Sequence, residues 1–196
     1  MINGNLMHQI RLYSGLVLFV FALTHFINHA FGLISIEATM AVQEWRTLVW
    51  RNPVGGVVLY GALLAHIALA LLKIYQRYTL KMPLWEAIRL GLGLAIPFIL
   101  LGHIVNTRFA HEVLGVDDNY VYEFVKLWPN SGWNQTILLL LVWIHSCIGL
   151  HYWLRMKEWY RHTQSVWFVL AILIPTLSLF GFYAVGRFME QLEADT

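Results

Sequence analysis

Charge is scarce in this 196-residue chain: Asp, Glu, Lys and Arg together make up 12% of it, against 59% hydrophobic residues. A soluble domain carries about 25% charged residues, so the deficit excludes a water-surrounded globule and points to lipid as the solvent. Cysteine is nearly absent too. Cys147 stands alone, which excludes an internal disulfide and a covalent C-x-x-C-H haem attachment. Acidic side chains are missing from every long apolar run. That removes the carboxylates a zinc centre or a substrate-coupled transporter places in mid-membrane. The formal net charge of +2 is too small to imply nucleic acid, and the basic residues fall in connections, where membrane topology accounts for them. We find no nucleotide-binding motif, low-complexity tract, soluble domain or obvious internal repeat.

What is present is a set of five apolar runs, at 12–34, 54–72, 88–105, 134–154 and 165–185. Each is roughly 20 residues long, the length that spans hydrocarbon. Backbone groups in lipid must be satisfied within the segment or in a closed barrel, and these runs are too continuous for barrel alternation. The expected fold is therefore all-α, a polytopic membrane bundle of five transmembrane helices forming one domain over 1–196. Turn residues punctuate the connections at Arg51-Asn52-Pro53, Met82-Pro83 and Trp128-Pro129-Asn130-Ser131-Gly132, while Pro97 and Pro175 fall inside spans. The third connection, 109–132, is long and mixes aromatics with Glu112, Asp117, Asp118 and Glu123. It reads either as a cap over a site or as an amphipathic surface segment.

Lys73, Arg77, Lys81 and Arg89 mark the second connection and Arg155, Lys157 and Arg161 the fourth, outweighing the other two. The positive-inside rule then places the N-terminus in the cytoplasm and the end of the fifth span outside. The first span has no Lys/Arg-rich leader or cleavage site, so it reads as a retained helix. Tryptophans cluster at span ends as an interfacial belt.

Four of the nine histidines lie deep in four consecutive spans: His25, His66, His103 and His145, separated by 41, 37 and 42 residues. A lone intramembrane histidine is often only hydrogen-bonded to a neighbouring helix, but ionisable groups recurring on four helices mark function. Helical rise puts His25 and His103 about 20 Å from the inner edge of the hydrocarbon, and His66 and His145 about 12 to 14 Å from it. Two pairs at two depths suit two stacked b haems, each held by two imidazoles with no open iron position, better than zinc, which wants three or four converging ligands. His29, one turn beyond His25, is either the first ligand itself or a partner for a propionate or quinone; depth does not separate the two rings. His151, one turn before Arg155, is a propionate or quinone contact or an ordinary interfacial histidine. Arg108, Arg155 and Arg11 suit propionates, or snorkel to headgroups. Gly61, Ala62 and Ala65 before His66, and Gly91, Gly93 and Gly102 before His103, permit close approach of a helix or a macrocycle. His8, His111 and His162 receive no role.

These segments resemble the dihaem cytochrome b anchors of the succinate dehydrogenase/fumarate reductase superfamily. "THFIN", "LLAHIALAL", "LLGHIVNTR" and "WIHSCIGLHYWLR" are similar to that family's four ligand helices, over roughly residues 11–187. The resemblance implies two b haems, His25 with His103 and His66 with His145, surrounded by the first four helices. Within the superfamily, "RLYSGLVLFVFALTHFINHAFGL", "WRNPVGGVVLYGALLAHIALALL" and "HEVLGVDDNYVY" look closer to the anchors fused to bacterial class III adenylate cyclases. That likeness implies a bacterial inner-membrane redox sensor exchanging electrons with quinone and regulating a fused or associated cytosolic cyclase as a homodimer. No catalytic residue follows from it, since relatives of that type carry a sixth span, a ferredoxin-like 2Fe–2S domain and the cyclase beyond the point where this sequence ends. The rival reading is a cytochrome b anchor subunit of a succinate/fumarate:quinone oxidoreductase.

Overall fold

The computed structural model describes residues 4–79, 81–116 and 119–194, so Asp117 and Asp118 of the third connection lie outside the described residues. Among these described residues the α-helices run α1 Gly4–Ala30, α2 Ile36–Trp50, α3 Pro53–Tyr75, α4 Leu84–Ile104, α5 Ala110–Leu114, α6 Tyr120–Leu127, α7 Gly132–Leu154 and α8 Glu158–Ala194. A 3-10 turn, Phe31–Leu33, extends α1, and a π turn, Val105–Phe109, joins α4 to α5. Among the described residues five helical segments are long and apolar enough to cross a membrane, those built on α1, α3, α4, α7 and α8. Large apolar side chains face outward on them, with Phe98 84%, Val57 75% and Phe168 67% exposed. An apolar exterior on every long helix is compatible with a multi-pass membrane protein.

The helices outrun the apolar stretches. α1 begins at Gly4 instead of 12, and α8 covers Glu158–Ala194 instead of 165–185. Hydropathy marks where a helix meets lipid, whereas Gln, Glu, Lys and Arg continue a helix readily. The first connection holds α2, a helix with its own start signal: Ser35, in extended conformation, accepts from the Ala38 N–H at 3.1 Å. Asn52 caps α3 in the same manner at Gly55, with Pro53 in the first turn, and Asn119 caps α6 at Tyr122. Gly115, at φ 66°, closes α5.

α1 packs on α3 and α8, and α4 on α7, so the spans form two hairpins with α8 outside them. His66 of α3 sits on Gly15 near the start of α1, while Trp50, just before α3, sits on Phe21; the first hairpin is therefore antiparallel. α8 is fastened to α1 by backbone proximity and by a hydrogen bond from Ser178. Gly181 faces the carbonyl of His29 and Gly32 the carbonyl of Gly181, neither leaving room for a Cβ. Ser178, fully buried, donates to the Phe26 carbonyl at 2.6 Å and to its own Ile174 at 2.8 Å. Around them lies an apolar cluster of Ala22, Phe26, Leu139 and Trp143, and a second one of Tyr120, Phe124, Phe182 and Val185 that seats α6 against α8.

Candidate functional site

Between the two hairpins lies a cavity of about 960 Å³ whose walls include His25, His29, His66, His103 and His145. This is the upper end of the range for small-molecule sites, about 300–1,000 Å³. His25 and His103 face each other with ring centres 6.0 Å apart, and His66 and His145 with ring centres 6.3 Å apart. Two imidazoles on opposite sides of one metal, each with a metal–nitrogen bond of about 2.0 Å and about 1.1 Å more to the ring centre, stand about 6.2 Å apart. Both pairs therefore have the separation that a bis-imidazole iron needs. Among the described residues no three His, Cys, Asp or Glu side chains converge as a metal-binding group.

The hydrogen bonds at Nδ1 decide which ring nitrogen is left over. A carbonyl oxygen can only accept, so His66 Nδ1 donates to the Arg11 carbonyl at 3.1 Å and His145 Nδ1 to the Arg89 carbonyl at 3.0 Å. His103 Nδ1 meets Gln135 Oε1 at 3.0 Å. In each case the lone pair stays on Nε2, as in metal-ligating histidines fixed from behind. His25 differs: its Nδ1 lies 2.8 Å from Arg46 Nη1, and a guanidinium can only donate. His29 Nδ1 lies 2.8 Å from the Tyr120 hydroxyl, which can take either part, and its ring centre is 4.7 Å from that of His25. Spacing to His103 favours His25 as the ligand, whereas hydrogen bonding leaves His29 the freer tautomer.

Arg46, on α2, brings a cation to this end of the cavity. Burial, reinforced by the charge of Arg51, pulls its guanidinium down to about 10. Among the described residues its Nε, and both polar atoms of the fully buried Asn28, have no hydrogen-bond partner, although both residues line the cavity. Orphaned buried polar atoms are costly unless a bound group satisfies them, so the residues present fit a polar-edged occupant such as a haem with its propionates.

Of the arginines read from the sequence, Arg11 and Arg108 line the cavity. Arg108 is already paired with Glu112 at 2.7 Å. Arg155 and His151 do not line it: Arg155 stacks 4.6 Å from the Tyr152 ring, and His151 Nδ1 meets the Tyr160 hydroxyl at 2.9 Å. Sequence reasoning missed Arg46, Asn28, Tyr120 and Gln135 as site residues, and it missed Gly15. Gly61, Gly91 and Gly102 face open space, so of the glycines singled out only Gly93 approaches a ring, and that ring is His145.

One signal was available for Gly15 and Arg89. Arg11, Gly15, His25, Asn28 and Phe31 recur as Arg89, Gly93, His103, Asn106 and Phe109 at a constant offset of 78, and His66 recurs as His145 at 79. No repeat is obvious in the sequence, yet the first helices of the two hairpins share these positions and the second helices share the facing histidine, a likeness recognisable once the histidines are seen to face each other. His29 breaks the pattern, since position 107 is Thr. Comparison of the chain with protein families, with curated proteins and with solved structures returned no match.

Proposed function

We propose that this chain is a membrane electron-transfer module that binds two b haems in the cavity and exchanges electrons with membrane quinone. The observation that carries this reading is the pair of opposed histidine couples, 6.0 and 6.3 Å apart, in one large cavity between two related hairpins. Bound haem supplies a one-electron iron couple, and ligation by two imidazoles leaves no position for oxygen chemistry. The chain's own residues hold the imidazoles in one tautomer through Arg11, Arg89 and Gln135, bring cations to the cavity walls, and keep bulk water out with an apolar exterior.

By its resemblance to cyclase anchors, the module acts as a redox sensor for a cytosolic adenylate cyclase in the bacterial inner membrane, working as a homodimer with the N-terminus in the cytoplasm. The test uses the haem-loaded chain in liposomes with a short-chain quinol. Reduction of the haem bands by quinol, reversed by quinone, supports the assignment. Haem that dithionite reduces but quinol does not removes quinone from it. Co-purification with a flavoprotein and an iron–sulfur subunit replaces the sensor role with a respiratory one.

A further inference from the structure

We infer that Gly15 and Gly93 are positioning residues for the His66–His145 couple: each opens a backbone carbonyl to the facing imidazole and thereby selects the ring nitrogen left for a metal. The inference rests on the dihaem reading above.

In an α-helix the carbonyl of residue i−4 already accepts the N–H of residue i, and the side chain at i lies over that preceding turn. A glycine at i leaves the second lone pair of that carbonyl open. Gly15 stands four residues after Arg11, and Gly93 four after Arg89, and these are the two carbonyls that receive His66 and His145. The rings press on the bare Cα positions. A Cβ at Gly15 would lie 3.0 Å from His66 Cε1 and 3.3 Å from its Nδ1; a Cβ at Gly93 would lie 2.8 Å and 3.2 Å from the same atoms of His145.

The device occurs twice at the 78-residue offset although its surroundings differ. Ser14 donates its hydroxyl to the same Arg11 carbonyl at 3.1 Å and lies 3.4 Å from His66 Nδ1, so His66 shares its acceptor, whereas the second copy has Leu92 there and His145 does not. What the two copies share is the glycine, the carbonyl one turn back and the histidine of the partner helix. The Arg side chains are not part of it, because the acceptor is main chain. A hydrogen bond from Nδ1 to a carbonyl fixes the ring's rotation and raises the basicity of Nε2. A more basic imidazole favours ferric over ferrous iron, so weakening that bond raises the midpoint potential of this site alone.

The experiment compares Gly15→Ala and Gly93→Ala with Gly91→Ala and Gly102→Ala, whose added methyl groups meet nothing within 4 Å. Redox titration and low-temperature electron paramagnetic resonance are recorded on each haem-loaded protein. Expected is a rise in one midpoint of the order of a tenfold change in the reduced-to-oxidised ratio, about 59 mV. An altered low-spin signal from the same haem accompanies it, larger for Gly93→Ala, while the other haem and both controls stay at wild-type values. If all four variants behave alike, or both haems shift together, the inference fails while the dihaem reading stands. If the wild-type chain takes up no haem, both fail.

Discussion

Trp143 shows how a single side chain repairs a proline inside a helix. Pro175 has no N–H to give to the carbonyl four residues back, at Ala171, and the indole of Trp143 donates to that oxygen at 2.8 Å. Trp143→Phe leaves this carbonyl unsatisfied, a loss of about 1–3 kcal/mol read as a lower unfolding temperature. Adding Pro175→Ala restores an intrahelical donor, so the double variant recovers most of the loss; strictly additive effects contradict the account. Tyr120 gives a pH dependence. Burial raises its hydroxyl above the ordinary value of 10, so the folded chain keeps a proton that the unfolded chain releases. Stability from this group is present below about pH 10 and falls as pH rises beyond it. Tyr120→Phe should flatten that alkaline decline in a thermal-unfolding series. At this scale the four deep histidines were legible, because buried ionisable residues in an apolar run stand out. Arg46 and Tyr120 were not, because they lie in connections and reach the cavity only once α2 and α6 fold over it.

The elements show which signals survive the absence of water. Ser35, Asn52 and Asn119 all cap helices, since a free N–H needs an acceptor whatever the surroundings. Ser35→Ala should therefore cost about 1 kcal/mol of stability through α2. Span ends were less legible: α1 and α8 continue through polar residues that hydropathy treats as an end. The close crossing of α8 on α1 was invisible in the sequence, because a glycine's role depends on which helix it meets. Gly181→Ala places a methyl group into the His29 carbonyl and should lower the unfolding temperature markedly. Gly149→Ala, with open space around it, is the matched comparison and should not.

At the scale of the whole molecule, two hairpins related by the 78-residue offset enclose one cavity, and α8 buttresses them from outside. The five-helix architecture was legible from run length and the lack of charge. The hairpin repeat was not, because few of its positions are identical and they are scattered among apolar residues that any membrane helix could carry. Topology is tested with exposed positions in a Cys147→Ala background. On intact cells a membrane-impermeant maleimide should label Val125→Cys of the third connection, and should label Tyr78→Cys of the second only after permeabilisation. The reverse pattern inverts the orientation. The most direct measurement of the central claim is haem per chain, by visible spectroscopy of the oxidised and reduced protein, for wild type and for His25→Ala, His29→Ala, His66→Ala, His103→Ala and His145→Ala. The account predicts two b haems in the wild type. His66→Ala and His145→Ala should lose the same one, and His103→Ala the other, together with whichever of His25 and His29 is its partner. A colourless protein after expression with ample haem, or losses that ignore these pairs, contradicts it.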